Sequence, residues 1–164
     1  MAPEIRSLLY STDLAHNSIY AFRYAANLAK LTGADIHILH VLETLSDDAR
    51  FTIEAYVLEA DKRHKILDER LERAKARLME RQDKFWAGQS EADRKVRDQI
   101  KTIDVCESYP AEEILKRVKQ YDCDLIVMGG HEKGLSHTFL GSVAKSVLRR
   151  SRVPTMIVPL PEED

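Results

Sequence analysis

Five short apolar runs, each closed by polar or turn-forming residues and separated by stretches of helical periodicity, constrain this chain more than any other feature. Ile5 to Ser11 is the first and breaks at Thr12-Asp13. Asp35 to Leu42 is the second, Ile100 to Glu107 the third, Asp124 to Met128 the fourth and Thr155 to Val158 the fifth. Runs this short and this rich in Ile, Val and Leu read as buried strands. Between the first two, Asn17 and Ser18 are good cap residues, and Ile19, Phe22, Ala26 and Ala29 recur at helical spacing up to Gly33, a C′ glycine. Pro110 suits the first position of a later helix, with Glu112 and Glu113 in its first turn and Ile114, Leu115, Val118 and Tyr121 on its apolar face. A last helix opens near Gly141-Ser142 and closes on Arg149-Arg150. Strands alternating with helices predict an α/β fold: a five-stranded, open, parallel, doubly wound sheet of Rossmann-like type, with right-handed crossovers and helices on both faces. Pro154 and Pro159 fence the fifth strand and suit an edge.

Residues 54–87 contain neither Gly nor Pro and are dense in Glu, Lys and Arg. Ala60, Leu67, Leu71, Ala74, Leu78 and Phe85 form a heptad-like stripe, and Glu59/Arg63, Asp61/Lys65, Glu69/Arg73 and Glu80/Lys84 set opposite charges four apart. The spacing predicts one long amphipathic helix ending near Gly88, packed on the sheet with its charged face in solvent. Residues 89–99 are polar, with Ser90 placed to open a short helix. The whole, residues 1–164, reads as one domain with a long charged helical section at about 54–99.

The charge balance, 25 Lys+Arg against 27 Asp+Glu, argues against binding nucleic acid or an anionic membrane, both of which need a clustered basic excess. Arg149-Arg150-Ser151-Arg152 is a short basic cluster that reads as a helix-end complement and solvated surface. No apolar run is long enough to cross a bilayer, and Met1-Ala2-Pro3-Glu4 does not begin a secretory signal, so a cytoplasmic protein is expected. Cys106 and Cys123 have neither metal-ligand spacing nor a disulfide framework, and read as small buried apolar residues.

Ligands of doubly wound sheets bind outside the carboxyl ends of the strands, where the winding reverses between the first strand and a non-consecutive neighbour. Here those ends are Ser11-Thr12-Asp13 and Met128-Gly129-Gly130-His131. Glycines 129, 130, 134 and 141 let backbone amides approach an anion, and Gly141-Ser142 opens a helix whose first N–H groups suit phosphate. Asp13 offers a carboxylate for a ribose hydroxyl or a cation, and Val41 an apolar surface for a flat base. The same residues also fit a plain turn at Gly129-Gly130, an N-cap at Ser142 and a loop-closing acceptor at Asp13.

Taken together, several segments resemble the universal stress protein family: Leu9-Tyr-Ser-Thr-Asp13, His40-Val41, Tyr109-Pro-Ala-Glu-Glu-Ile114, Asp124-Leu-Ile-Val-Met-Gly129, and Leu140-Gly-Ser-Val-Ala144 running into Val153-Pro-Thr-Met-Ile-Val-Pro159. Residues about 45–99 match only as that family's variable helical section. In nucleotide-binding members the resemblance implies a five-stranded parallel α/β domain, usually a homodimer, holding ATP at the switch point. It implies Asp13 on the ribose side, Val41 against the base, Met128 to His131 at the start of the phosphate loop, and Gly141, Ser142 and Val143 at the helix end. Ser11 and Thr12 join the set as the strand exit leading into Asp13. The family's loop reads Gly-x2-Gly-x9-Gly-Ser/Thr. Gly129 and Gly141-Ser142 match it, whereas the second glycine position is Glu132 and the following interval is one residue shorter. A carboxylate about 4 Å from a phosphate charge costs on the order of 4 kcal/mol at an effective dielectric near 20. The resemblance therefore implies a nucleotide-responsive stress or regulatory protein binding ATP or AMP, with magnesium, and little or no catalysis. The alternative is an ATP-independent, dimeric protein-interaction module of the universal stress protein A type. In either case a homodimer through residues 155–158 is expected, because that edge strand is apolar on both faces.

Other chemistries lack their parts. Asp13, His131 and Ser142 come without the G-x-S-x-G elbow of a hydrolytic triad. No Walker lysine is present, and no G-x-G-x-x-G follows the first strand. A phosphoacceptor receiver domain needs an acidic pair after strand one and a lysine after strand five, where this chain has one Asp and Pro159. His37 and His40 stand three apart on a strand, on opposite faces, and cannot share a ligand.

Overall fold

The computed structural model describes residues 3–130, 140–159 and 161. Five parallel strands, β1 (Ser7–Thr12), β2 (Asp35–Glu43), β3 (Ile100–Ser108), β4 (Leu125–Gly129) and β5 (Thr155–Val158), form one sheet in the order β3-β2-β1-β4-β5. Each lies within a residue or two of its expected bounds. β1 is central, paired with β2 on one side and with the non-consecutive β4 on the other, so the winding reverses between β1 and β4. β5 stands at an edge, paired among the described residues with β4 alone.

The helices α1 (Ser18–Thr32), α2 (Asp47–Tyr56), α3 (Ala60–Ala87), α4 (Glu91–Arg94), α5 (Pro110–Gln120) and α6 (Ser142–Arg150) connect the strands. Alternation along β1 divides the core in two. Leu8 and Tyr10 face Phe22 of α1 and Leu78 and Trp86 of α3 on one side, while Leu9 faces Ile114 of α5 and Val147 of α6 on the other. Gly33 ends α1 at φ 75°, a left-handed conformation that a side chain disfavours, and its N–H closes on the Ala29 carbonyl at 2.8 Å.

The single helix expected over 54–87 is two helices. α2 begins earlier, where the Ser46 side chain accepts the Ala49 N–H at 3.2 Å with Asp47 and Asp48 in the first turn. It ends at Val57, whose backbone leaves helical geometry at φ −113° and ψ 88°. Arg63 then donates to the carbonyls of Val57 (2.9 Å) and Leu58 (3.1 Å), holding the break open. No Gly or Pro marks this corner, so local composition hides it. Arg63 is therefore not paired with Glu59, which meets Lys62 at 2.9 Å instead. Among the described residues, Glu69–Arg73 at 3.6 Å is the one expected i,i+4 pair that forms.

Only the second half of α3 packs on the sheet. Its buried residues are Ala74, Leu78, Gln82 and Trp86, four apart on one line. Ala60 is exposed and Leu67 half-buried, so the expected stripe holds only from its middle onward. Ser90 does cap the short α4, accepting the Asp93 N–H at 3.2 Å, and a 3₁₀ turn (Lys95–Gln99) leads into β3. Cys123 is buried, whereas Cys106 is half-buried rather than fully enclosed. Among the described residues no helix is long and apolar enough to cross a membrane.

Candidate functional site

The sheet register brings the two chain exits together. Ser11 pairs with Met128 across β1 and β4, and Thr12 pairs with His40 across β1 and β2. Beyond these strand ends lies a cavity of about 1080 Å³. Ser11, Thr12, Asp13, Val41, Met128, Gly129, Gly130, Gly141, Ser142 and Val143 all line it. The remaining expected site residue, His131, lies outside the described residues, as do Glu132 and Gly134.

Each wall has a local cause. Thr12 is buried and its hydroxyl accepts the Leu14 N–H at 3.1 Å, which turns the chain out of the sheet at φ 58°. One Asp13 oxygen accepts the Ala15 N–H at 2.8 Å, so the carboxylate serves as the loop-closing acceptor while still standing at the cavity. Gly130 belongs to the turn out of β4: its carbonyl accepts the Gly141 N–H (2.9 Å) and its N–H donates to the Val158 carbonyl (3.1 Å). A Cβ here would lie 2.8 Å from Ile157 Cγ2, a contact that real side chains do not make. This backbone clasp delivers Gly141, the N-cap of α6, which supplies no side-chain cap. The first-turn amides of α6, with their share of the helix dipole, thus open toward the strand ends.

His40 also lines the cavity, although sequence spacing assigns it no ligand role. Its Nδ1–H donates to the Thr12 carbonyl at 2.7 Å, leaving Nε2 as the acceptor of a neutral ring. Burial pushes this imidazole below its ordinary value. Arg77 and Arg81 add to the effect, and the Thr12 carbonyl and Asp13 oppose it. His37, on the other side of the sheet, stacks on Tyr121 with centroids 4.3 Å apart and is likewise lowered by burial. Both rings take up a proton more readily in the unfolded chain than in the folded one. Stability therefore rises with pH through the ordinary histidine value of 6.5 and falls on acidification below it. Urea unfolding at pH 7.5 and 5.5 measures this: the midpoint drops at the lower pH, and His40→Gln makes the drop smaller.

The largest group missed by sequence reasoning comes from α2 and α3. Ile53, Ile66 and Leu67 give the cavity an apolar cover, while Arg70, Arg73 and Arg77 bring cations to it. Their spacing of three and four on α3 is visible in the sequence and sets them on one face of the helix. Nothing local says that this face meets the strand ends. Among the described residues no group of three His, Cys, Asp or Glu gathers to hold a metal.

The sheet order and the crevice at its switch point define a parallel, doubly wound α/β protein. The universal stress protein family model matches residues 4–159, and the chain belongs to that family. Universal stress protein MJ0577 of Methanocaldococcus jannaschii is 26% identical over 159 residues, covering 96% of this chain and 97% of that protein. Its solved structure covers 98% of this chain and 100% of its own, at a TM-score of 0.72 and 21% identity. Universal stress protein UspA from Lactobacillus plantarum superposes at a TM-score of 0.70 with 20% identity, covering 96% and 99%. A universal stress protein in complex with cAMP follows at 0.53 and 20%, covering 95% and 98%. At these identities the solved structures speak for the fold.

Proposed function

We propose that this protein is a nucleotide-responsive stress or regulatory protein that holds ATP or a related adenine nucleotide at the switch point, with magnesium accompanying the phosphates and little or no catalysis. The observation that carries this reading is that Asp13, Val41, Gly129, Gly130, Gly141 and Ser142 all line one cavity. Val41, near the end of β2, faces the base. Asp13 accepts from the ribose, and the first turn of α6 receives phosphate without Cβ obstruction. The fold neighbour crystallised with cAMP supports an adenine nucleotide as the ligand class. At about 1080 Å³ the cavity slightly exceeds the usual range for small-molecule sites, about 300–1,000 Å³, which leaves room for a whole nucleotide.

Calorimetric titration with ATP and magnesium tests the reading. Saturable binding with one site per chain is the expected result, and no heat at millimolar nucleotide refutes it. Native mass spectrometry of freshly purified protein then identifies the retained nucleotide.

The protein works as a cytoplasmic homodimer in this reading, joined through β5, which pairs with β4 alone and offers its other backbone edge. Sedimentation at tens of micromolar protein checks that arrangement, and a monomer counts against it. A second reading, the ATP-independent interaction module, draws on the apolar side chains around the α2–α3 corner. Phe51, Tyr56 and Leu58 are 72%, 85% and 83% exposed, which suits a protein-binding face. Absence of retained nucleotide together with dimerisation favours it.

A further inference from the structure

The arginines that α3 brings to the strand ends divide by their partners. Arg70 is committed: its guanidinium meets Glu107 Oε2 at 2.9 Å and donates to the Glu43 carbonyl at 2.8 Å. Arg81 is committed as well, donating to the Ala15 carbonyl at 2.5 Å and the Ser18 hydroxyl at 2.8 Å. These two tie α3 across the carboxyl ends of the sheet. Arg73 and Arg77 lie between them, one helical turn apart, and both line the cavity. Arg77 makes a single long hydrogen bond, 3.5 Å to the Leu14 carbonyl, and no ion pair among the described residues. Arg73 reaches Glu69 at 3.6 Å, with side chains 80% and 48% exposed, a pairing that contributes little.

α3 packs on one face of the sheet and α6 on the other. The cavity is therefore lined by the first residues of α6 from one face of the sheet and by Arg73 and Arg77 of α3 from the other. The α6 N-terminus suits one phosphate. A chain of phosphates can engage both walls. Arginine offers a planar fork that matches phosphate oxygens two at a time, and these two give up almost nothing in exchanging their present contacts for an anion.

We propose that Arg73 and Arg77 hold the distal phosphates of a nucleoside polyphosphate, so that the cavity selects nucleoside triphosphates over monophosphates. The inference rests on the nucleotide reading above and adds the phosphate count and the residues that set it.

The test is calorimetric titration of the full chain with ATP and with AMP, for the native protein, Arg73→Gln/Arg77→Gln and Arg77→Lys. The native protein is expected to bind ATP about tenfold or more tightly than AMP, as loss of a charge-assisted contact implies. The double variant should lose about tenfold in ATP affinity with AMP unchanged within about twofold. Arg77→Lys should keep most of the ATP preference through its retained charge. Equal ATP affinity in native and double-variant protein overturns the inference and leaves the nucleotide reading standing. Parallel weakening of ATP and AMP in the double variant, with the preference also lost in Arg77→Lys, overturns it too. Native protein that binds neither nucleotide overturns the nucleotide reading itself, and this inference with it.

Discussion

Replacing Trp86 with alanine is expected to destabilise the protein by about 3–5 kcal/mol, the range for truncating a large buried aromatic. Trp86 is 2% exposed and meets Phe85 and Phe22 edge-on, with centroids 4.8 and 5.8 Å away. These three rings, with Tyr10 against Phe22 at 5.0 Å, pin the packed half of α3 to α1 and the sheet. A second loss accompanies the cavity. The indole N–H donates to Gln82 Oε1 at 3.2 Å, and Gln82 is 1% exposed, so the truncation orphans a buried carbonyl. An unmet buried acceptor costs about 1–3 kcal/mol. Against a total stability of about 5–15 kcal/mol, this one change brings the domain to the margin. Trp86→Phe refills part of the space and is expected to cost less than half as much. Urea unfolding followed by far-UV circular dichroism measures both, since the chain has one Trp and the variants lose its fluorescence.

The second large effect is expected at Arg117. This guanidinium donates to Glu113 Oε1 at 2.7 Å, to Asp104 Oδ2 at 3.0 Å and to the Tyr121 hydroxyl at 3.0 Å. The Tyr121 hydroxyl in turn donates to Asp104. The network fastens α5 to β3, the edge strand beside β2. Glu113 is buried, and Arg117 holds its carboxyl below the usual glutamate range against the opposing effect of burial. Arg117→Met removes the cation and leaves that carboxylate with only Lys116, 3.6 Å away and largely in solvent. Breaking a buried pair costs about 3–5 kcal/mol; the partial exposure of Asp104 places this case at the lower end, about 3 kcal/mol at pH 7.

The pH dependence identifies the cause. In the native protein the lowered Glu113 value contributes stability above the unfolded carboxyl's value, and that stability is lost only as pH falls through the folded value. In the variant the Arg117 contribution is gone while burial still opposes the charge, so the variant loses less than the native protein on acidification. The stability gap between the two proteins therefore narrows from pH 7 to pH 5. Adding Glu113→Gln to the variant should recover about 1 kcal/mol or more, since the buried charge is then gone. A gap that is constant with pH and insensitive to Glu113→Gln contradicts this account.

Strand positions were legible because each strand is a short apolar run with a polar ending. Gly33 and Ser90 likewise announce their helix ends through local chemistry. The path of α3 was legible only in part. Its buried line Ala74, Leu78, Gln82, Trp86 contains a glutamine, and a polar residue at a core position interrupts the apolar series that periodicity detects. Phe85, half-buried beside the line, took the place of Trp86 in the expected stripe. The α2–α3 corner escaped for a related reason: Arg63 holds it through carbonyl contacts, without the glycine or proline that usually marks a break.

Around the cavity, Asp13, Val41 and the Gly129–Gly130 turn were legible because they stand at or near strand ends, and strand ends are set by local pattern. That Ser11 lies against Met128 follows from the order β2-β1-β4, a choice among long-range pairings made by the packing of whole helices on both faces. The arginine wall is decided there too. Helical spacing puts Arg70, Arg73 and Arg77 on one face of α3, but only the docking of Leu78 and Trp86 into the core turns that face toward the strand ends. Side-chain periodicity is a local property, carried by the 3.6- and 2-residue repeats of the backbone, and it determined the elements and their buried sides. Which elements meet depends on contacts between residues far apart in the chain, and those came from the tertiary structure alone.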